Sequence, residues 1–481
     1  MKKMMILGML SSPFVNGWWL SSSTLPRRLV YPRARTATTT PTTALFDAKS
    51  ADSLNSIAIN YDDQRDVPSL QEWAIDQGVE LSDGIELTNN GFGDWGVSFF
   101  GESSLDKGST LMTIPKSLIL SSSDRESSED LSALQESVTA SMSESNMEYF
   151  VPECLLMIRV LQEQQKGEKS HWKPWLDTLP KSFDSGLYFD PLERSHALRL
   201  APEFLRHQDV QFLSCKLAIQ VAKDNNLIPK EVVDFLNDED DLESVMKWAF
   251  SAVFTRSWRS QDGTVANLVP LGDMFNHDSE KANVAPKTTD DGGYQLSLKE
   301  DVVNGTSLFL SYGLTHRPER FLIIFGFTDR SGMYMDANLT VPEGFSVDRS
   351  SLLVSTKTGS LTEEVWALAT YNVLLQRDVD MAVEFATAQA DQDVEAIQQY
   401  LDRYDFESAM YLRLHVLKLL GETYPEMDLV PENLSESPRR FGMIARYNNL
   451  LRESWQRVGK YLDEEIEISL KLRSAAKERL P

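Results

Sequence analysis

Strand-like segments lie on both sides of a long helical block, and this arrangement limits the possible folds more than any other feature of the 481-residue sequence. The helical block covers 152–254, where apolar residues recur at helical spacing. The strand-like runs, separated by Gly-rich, Asp-Gly and Asn-Gly turns, are 96–100, 110–114, 267–271, 295–298 and 307–311. A sheet built from strands on both sides is split by the block, which predicts an α+β fold with a helical insert.

The chain divides by composition into three parts. An N-terminal segment over 1–46 precedes a predicted α+β unit over 66–335, whose helical insert spans about 123–247, and a predicted all-α unit over 341–481. Residues 121–145 are rich in Ser, Glu and Asp, which predicts a mobile loop. No run of 18 apolar residues follows the N-terminal segment, so the sequence predicts no transmembrane helix.

The balance of charge argues against two classes of partner. The chain has 47 Lys and Arg against 72 Asp and Glu, which gives a net charge of −25 at pH 7. Because like charges repel, this predicts no binding to nucleic acid and no stable association with anionic membranes. The two cysteines, Cys154 and Cys215, are too few for a disulfide scaffold or a four-cysteine zinc site.

The first 46 residues differ in charge from the rest of the chain, because they contain basic residues and no acidic one. Two N-terminal lysines, the apolar run 4–10 and a small-residue cleavage motif at 15–17 are typical of a signal peptide. Residues 20–45 are rich in Ser, Thr, Pro and Arg, as organelle transit peptides are. The tandem order resembles the bipartite presequences of secondary plastids and predicts a chloroplast location. The alternatives are a disordered tail or a plain secretory signal and, for the location, the nucleus or the cytoplasm.

A glycine motif near the start of the α+β unit matches a nucleotide-binding pattern without its context. Gly91-Phe92-Gly93-Asp94-Trp95-Gly96 fits G-x-G-x-x-G, which holds a pyrophosphate only where a helix begins directly after the glycines. The residues that follow, 97–100, favour a strand, so a Rossmann-type site is not predicted. The sequence also lacks the Walker A, H-E-x-x-H, G-x-S-x-G and C-x-x-C motifs.

Three segments have residues suited to a binding or catalytic site. They are the Gly-rich turn 93–100, the run 267–277 preceded by 255–258, and the run 310–313 followed by 325–327. Glycines in the first allow backbone to approach a ligand closely, and the second is an apolar strand that ends in a polar cluster. Each also has a structural explanation when taken singly: a turn, a structural histidine at 277, and a half-buried strand aromatic at 312.

Taken together and in this order, the segments resemble SET-domain protein methyltransferases of the Rubisco large-subunit lysine methyltransferase type. The shared features are the Gly-rich turn, the helical insert, a V-P-x-x-D-x-x-N-H motif at Val269–His277, and Tyr312 followed by Phe325-Gly326-Phe327. Trp172–Pro180 also resembles a W-x-x-Y/W-x-x-x-L-P stretch of the family's insert. The resemblance covers about 70–327, and the helical tail is similar in kind to the family's C-terminal substrate-binding domain.

The resemblance implies a chemistry and assigns residues to it. S-adenosyl-L-methionine is the implied cofactor, no metal is required, and the implied partner is a protein substrate with a lysine side chain, such as Rubisco or aldolase. The implied cofactor-binding residues are Asp94, Trp95, Gly96, Arg256, Asp273, Asn276 and His277. Tyr312 takes the place of the family's catalytic tyrosine, and Phe325 and Phe327 are expected to line the substrate pocket.

Three positions depart from the family pattern. Phe325 stands where the lysine methyltransferases mostly have Tyr, Asp278 replaces the Ser of Asn-His-Ser, and Pro318 replaces the Asn of an S-N-A-E segment. Because the missing hydroxyl at 325 affects the number of methyl groups added and the target residue, protein-histidine methylation is one alternative. A SET-fold binding protein without turnover is another. The acidic chain also allows a basic substrate such as a histone tail.

Overall fold

The computed structural model describes residues 65–89, 95–123, 128–200, 202–228, 230, 232–233, 242–313, 317–329, 334–423 and 438–478. The predicted presequence over 1–46 and the predicted cofactor residue Asp94 lie outside these ranges. Within the described ranges, none of the helices combines the length and the apolar character needed to cross a bilayer.

Helices dominate the middle and the C-terminal end of the described chain. They are α1 (Val67–Asp76), α2 (Ser128–Ser143), α3 (Val151–Lys166), α4 (Lys173–Thr178), α5 (Pro191–Leu200), α6 (Pro202–Asp224), α7 (Leu242–Arg256), α8 (Pro318–Arg320), α9 (Glu363–Arg377), α10 (Val379–Ala390), α11 (Val394–Arg403), α12 (Asp405–Thr423) and α13 (Pro438–Glu478). Pro152 lies in the first turn of α3, where the missing amide hydrogen of proline removes no helical hydrogen bond.

Short strands lie before α2 and after α7. They are β1 (Glu80–Leu81), β2 (Ile85–Asn89), β3 (Trp95–Phe99), β4 (Thr110–Ile114), β5 (Leu120–Ser121), β6 (Ser257–Arg259), β7 (Ala266–Leu268), β8 (Asn276–His277), β9 (Val284–Thr288), β10 (Tyr294–Leu298), β11 (Thr306–Leu310), β12 (Tyr334–Asp336) and β13 (Leu353–Ser355). Among these strands, the sheet orders are β1-β4-β10-β9, β2-β3-β11-β8, β5-β7-β6 and β12-β13.

The sheets join segments that are far apart in the chain. β3 pairs antiparallel with β11, and β4 pairs antiparallel with β10, so strands that precede the helical block pair with strands that follow it. The fold is therefore α+β with a sheet system split by helices, which confirms the predicted fold class. This closure brings the three segments singled out in the sequence to one end of the β2-β3-β11-β8 sheet.

Two apolar clusters form the interior. The first joins the sheets to the inserted helices through side chains such as Leu111, Trp175 and Phe250, each at most 1% exposed. The second holds the C-terminal helices on β12 and β13, with Leu368 and Tyr447 fully buried. Buried apolar area of this kind is the main stabilising contribution to such a fold.

The C-terminal helix α13 contacts the inserted region through a buried ion pair. Arg440 Nε donates to both carboxylate oxygens of Glu193, at 3.2 and 3.0 Å, and both side chains are at most 7% exposed. Glu193 also accepts from the Asp190 amide at 2.8 Å, while Asp190 accepts from the Glu193 amide at 2.7 Å. This reciprocal pair is a capping box at the start of α5, so Arg440 binds a carboxylate that also caps a helix.

Two predicted elements differ from the structure. The prediction of a mobile loop over 121–145 is wrong, because Ser128–Ser143 forms a helix with Leu134, Val138 and Met142 fully buried on one face. The predicted strand 267–271 is shorter and ends at Leu268, ahead of Pro270, which cannot donate a hydrogen bond to a sheet.

Candidate active site

The ends of three neighbouring strands form the centre of the candidate site. β11 lies between β3 and β8, and its parallel register with β8 sets Phe309 beside Asn276 and Leu310 beside His277. Tyr312 follows two residues after Leu310, so the strand delivers it next to His277, with ring centroids 5.0 Å apart. The sheet register therefore brings together the second and third sequence segments.

Gly96 and Asn276 form a close contact between β3 and β8. Asn276 Nδ2 donates to the backbone oxygen of Trp95 at 3.0 Å. A Cβ atom built on Gly96 would lie 2.8 Å from Asn276 Nδ2, closer than carbon and nitrogen can approach. The absence of a side chain at 96 is thus what allows the exposed Asn276 amide to lie over β3.

An ion pair between Arg256 and Asp273, whose charges act on Tyr312, has polar atoms that lack partners among the described residues. Arg256 Nη1 donates to Asp273 Oδ2 at 2.9 Å and to the Asp273 backbone oxygen at 3.1 Å, and Trp175 Nε1 donates to the same carboxylate at 3.2 Å. The Asp273 side chain is fully buried. Asp273 Oδ1 and Arg256 Nε are buried and have no hydrogen-bond partner among the described residues. Buried polar groups are normally hydrogen-bonded, so a ligand that supplies these bonds fits the site.

The backbone just before Asp273 is strained. Leu271 has φ 64° and ψ −39°, a conformation that residues with a side chain rarely adopt, and it is fully buried. Residues held in such conformations cluster at functional sites, where the surrounding packing maintains them. Here the turn directs the Asp273 carboxylate toward Arg256.

Tyr312 presents a protonated hydroxyl at neutral pH. Its Oη donates to the Phe275 backbone oxygen at 3.1 Å. Burial raises the pKa of Tyr312 to about 12, although the positive charge of Arg256 opposes the change. The hydroxyl can therefore donate to a fixed acceptor and still offer its oxygen lone pairs to a bound group.

The His277 imidazole is satisfied by protein groups on both nitrogens. Its Nδ1 accepts from the Tyr312 amide at 3.1 Å, and its Nε2 lies 3.0 Å from Ser279 Oγ and 3.2 Å from Asp329 Oδ2. The His277 side chain is 2% exposed. The ring thus supports the Tyr312 backbone, and contacts to a ligand from His277 are left to its main chain.

Aromatic rings pack around the side chains of Tyr312 and His277. Phe325 lies 5.1 Å from Tyr312 between ring centroids, Phe327 lies 6.1 Å from Phe325, and Phe321 stacks on His277 at 4.4 Å. Residues Phe321–Phe325 form a π-helical turn, with the Gly326 amide donating to the Phe321 oxygen. Turns of this kind are rare and are often found at functional sites.

The structure brings most of the predicted site residues together. The contacts above join Trp95, Gly96, Asn276, His277, Tyr312, Phe325 and Phe327, and a second group joins Arg256 and Asp273, whose charges act on Tyr312. Ser279, Asp329 and Phe321 also belong to the site, although no sequence motif indicated them. Trp175 belongs to the W-x-x-Y/W-x-x-x-L-P stretch of the insert, and this motif was the sequence signal for its bond to Asp273.

Comparison with solved structures identifies the fold. The structure of Rubisco LSMT bound to AdoMet aligns with 84% of this chain and 92% of that chain, with a TM-score of 0.58 at 14% identity. The SET domain of LSMT bound to lysine and AdoHcy aligns with 83% and 91%, with a TM-score of 0.59 at 14% identity. This chain has the SET-domain fold of Rubisco LSMT. The predicted SET fold is confirmed, and the similarity extends over the C-terminal helices as well as the sheets.

Curated relatives of this SET-fold chain match a shorter part of it, at somewhat higher identity than the solved structures do. It is 23% identical over 294 residues to the actin-histidine N-methyltransferases of Homo sapiens and Rattus norvegicus. These alignments cover 59% of this chain and 45% of each relative, so the chain spans less than half the length of the curated relatives it matches. No protein-family profile matches the chain.

Proposed function

We propose that this SET-fold chain is an S-adenosylmethionine-dependent protein N-methyltransferase whose target is a lysine side chain. The observation that carries the proposal is the convergence of the Tyr312 hydroxyl, the Asn276–Gly96 contact and the Arg256–Asp273 pair beside an aromatic wall. Its fold neighbours include structures of Rubisco LSMT bound to AdoMet and to sinefungin with monomethyllysine.

The residues present fit this cofactor on two structural observations. Gly96 lets the polar Asn276 amide lie close to the β3 backbone, and the buried Asp273 Oδ1 and Arg256 Nε lack partners among the described residues. Trp95, Gly96, Asn276, the His277 main chain, Arg256 and Asp273 would hold it. When bound, it supplies a methyl group on a sulfonium centre, a reactive group that needs no metal.

Tyr312 orients the nucleophile in this proposal. Because its proton is donated to the Phe275 oxygen, the Tyr312 oxygen can accept a hydrogen bond from an incoming amine and stabilise nearby positive charge. Lysine has a reference pKa of about 10.4, so the amine must lose a proton before it attacks. The aromatic surroundings favour the neutral amine by desolvation, and the faces of Phe325 and Phe327 attract a methylated ammonium product.

Histidine methylation is the second candidate. It is favoured by the curated relatives, which are actin-histidine N-methyltransferases, and by Phe325, which leaves the wall beside Tyr312 without a second hydroxyl. An imidazole is largely neutral at pH 7 and needs less help in losing a proton than an amine does. Identification of the modified residue separates the two candidates.

The substrate and location rest on the sequence. The bipartite N-terminal pattern favours a plastid, and the resemblance to Rubisco methyltransferases favours a folded stromal protein such as Rubisco or aldolase. The experiment is transfer of labelled methyl from S-adenosylmethionine into a plastid extract by the full chain, with the modified residue identified by mass spectrometry.

Two variants complete the assay. Tyr312→Phe should abolish most of the label, whereas Tyr400→Phe, which removes a hydroxyl bonded to Glu384 on the C-terminal helices, should not. Label on lysine supports the proposal, and label on histidine supports the second candidate. Cofactor binding without label in any acceptor, with extracts of nucleus and cytoplasm included, would instead indicate a SET-fold binding protein.

A further inference from the structure

We infer that Asp329 is a positioning residue that holds His277 in one tautomer and thereby fixes the backbone of Tyr312. The inference rests on the proposed function for its catalytic consequence, but its structural part stands without it. We use the name Tyr312 support for Ser279, Asp329 and His277 together with the Tyr312 amide.

The hydrogen bonds of the Tyr312 support determine where the imidazole proton lies. The Tyr312 main-chain N–H points at His277 Nδ1 at 3.1 Å, and a backbone amide can only donate. Nδ1 must therefore be the unprotonated, accepting nitrogen. The single proton of the neutral ring is then on Nε2, which faces two oxygen atoms.

Asp329 supplies the acceptor that this tautomer needs. Its Oδ2 accepts from Ser279 Oγ at 2.5 Å and lies 3.2 Å from His277 Nε2. Because the Ser279 proton is donated to Asp329, the Ser279 oxygen also faces His277 as an acceptor. Because Oδ2 is an acceptor toward Ser279, it also faces Nε2 as an acceptor, and Asp329 thus opposes the tautomer that would place the proton on Nδ1.

Burial makes this arrangement rigid. The side chains of His277 and Asp329 are 2% and 7% exposed. The imidazole is stacked on Phe321 at 4.4 Å and lies 5.9 Å from Phe327, so its rotation is restricted on the side of the aromatic wall. Asp329 follows Phe327 by two residues, so one short segment supplies both a ring of the wall and the acceptor for His277.

The decisive variant is Asp329→Asn, which keeps the shape of the side chain. Its amide can donate to Nε2 and shift the proton to Nδ1, where it opposes the Tyr312 N–H. Small misplacements of reacting groups cost about 100-fold in rate, so we expect kcat to fall about 10- to 100-fold. The KM for the cofactor should change less than about threefold, because Asn276, Arg256 and Asp273 are untouched.

Two further variants calibrate this result. Ser279→Ala leaves Nε2 within reach of Asp329, so the tautomer should persist and kcat should fall less than about threefold. Asp291→Asn removes a carboxylate from the exposed turn between β9 and β10 and should leave kcat and KM unchanged. Thermal melting of each variant establishes that it is folded.

Nuclear magnetic resonance tests the support independently of activity. With ¹⁵N-labelled histidine, the ring nitrogens of His277 should show the Nε2–H tautomer in the unmodified chain and a shift toward Nδ1–H in Asp329→Asn. The chain has six histidines, so comparison with His277→Gln assigns the signal. With ¹⁵N-labelled tyrosine, the Tyr312 amide should exchange with solvent faster in Asp329→Asn.

The outcomes distinguish the structural role of Asp329 from its effect on turnover. An unchanged His277 tautomer in Asp329→Asn would overturn it, and so would a shifted tautomer with unchanged kcat and unchanged Tyr312 amide exchange. A lower kcat in Asp329→Asn, with rates close to normal in Ser279→Ala, supports it. If the unmodified chain transfers no methyl group, the proposed function fails, and the resonance signals alone decide whether Asp329 fixes the Tyr312 backbone.

Discussion

The side-chain amide of Asn276 lies directly over the Cα of Gly96, at a distance that leaves no room for a methyl group. A Cβ at 96 would be 2.8 Å from Asn276 Nδ2, and the nearest other atom of Asn276 is 3.8 Å away. The contact connects two strands that are about 180 residues apart in the sequence. The position of the Asn276 side chain therefore depends on the presence of glycine at position 96.

Gly96→Ala should weaken cofactor binding by about tenfold. The added methyl displaces the Asn276 amide and breaks its hydrogen bond to the Trp95 oxygen, a loss of about 1 kcal/mol or more. Isothermal titration with S-adenosylmethionine measures the effect. Gly421→Ala is the control, because a Cβ at Gly421 in α12 meets no atom within 4 Å. Equal binding by Gly96→Ala and the unmodified chain would show that Asn276 does not contact the cofactor.

Asn276→Ala and Tyr312→Phe should affect different steps. Loss of the Asn276 amide should raise the dissociation constant of the cofactor, whereas loss of the Tyr312 hydroxyl should leave it nearly unchanged and lower kcat by about 100-fold or more. Titration and steady-state kinetics on both variants measure this. A similar loss of binding in both variants would contradict the separation of roles.

Phe325→Tyr should lower the number of methyl groups added to each target residue. The ring of Phe325 lies 5.1 Å from that of Tyr312, so a hydroxyl at 325 would occupy space beside the proposed amine site and bind the amine through a hydrogen bond. A substrate amine held in this way has less room for a second or third methyl group. Mass spectrometry of the product measures the methylation state, and an unchanged distribution would show that Phe325 does not border the reacting nitrogen.

Glu319→Gln should remove a loss of stability that the unmodified chain undergoes between pH 5 and pH 8. Burial raises the pKa of Glu319 from 4.5 to about 7, against the opposing charge of Arg317. Between these pH values the folded state binds more protons than the unfolded state, so the free energy of unfolding falls as pH rises from about 4.5 to 7. Glutamine does not ionise, so it removes this pH dependence of the free energy of unfolding, which amounts to at most about 3 kcal/mol. Urea unfolding at both pH values tests this.

The control for Glu319→Gln is Glu86→Gln, which removes a carboxylate from the exposed side of β2. Its stability difference between pH 5 and pH 8 should match that of the unmodified chain. If Glu319→Gln gives that same difference, Glu319 does not titrate in this range.

Arg440→Met should destabilise the fold by about 3 to 5 kcal/mol, because it deprives the fully buried Glu193 carboxylate of its Arg440 charge partner. The neighbouring Arg439→Met is a matched control. Arg439 pairs with Asp184 but is 60% exposed, and such pairs contribute about 0 to 1 kcal/mol. Denaturant unfolding compares the two variants. Partial recovery in the double variant Glu193→Gln with Arg440→Met would confirm that the cost comes from removing the Arg440 charge from the buried Glu193 carboxylate, and equal effects of Arg439→Met and Arg440→Met would contradict it.

Sequence patterns were sufficient for the parts of this fold that depend on local spacing and ordered motifs. The strand at Thr110–Ile114 matches its prediction because an apolar run bounded by turn residues has few alternatives. The motif order also predicted that Asn276, His277 and Tyr312 belong to one site. What brought them together is the pairing of β11 with β8, which follows from tertiary contacts.

Other features could not be predicted because their cause is a distant contact. The helix α2 was hidden by a Ser- and Glu-rich composition, although Leu134, Val138 and Met142 lie at helical spacing and pack against the interior. Asp329 lies 52 residues from His277 and belongs to no motif. Only the tertiary fold of the segment that follows β11 places it beside His277. The assignment of the His277 ring nitrogens likewise requires the positions of their partners.

The π-helical turn at Phe321–Phe325 has a consequence for how this pocket can change during evolution. Such a turn holds one more residue than an α-helical turn, and each residue rotates an α-helix by about 100°. Deleting a single residue between Phe321 and Gly326 would let the turn relax to an α-helix and present a different side chain to Tyr312. A one-residue insertion or deletion, rather than a substitution, is therefore sufficient to exchange the ring beside Tyr312 while both ends of the segment keep their contacts.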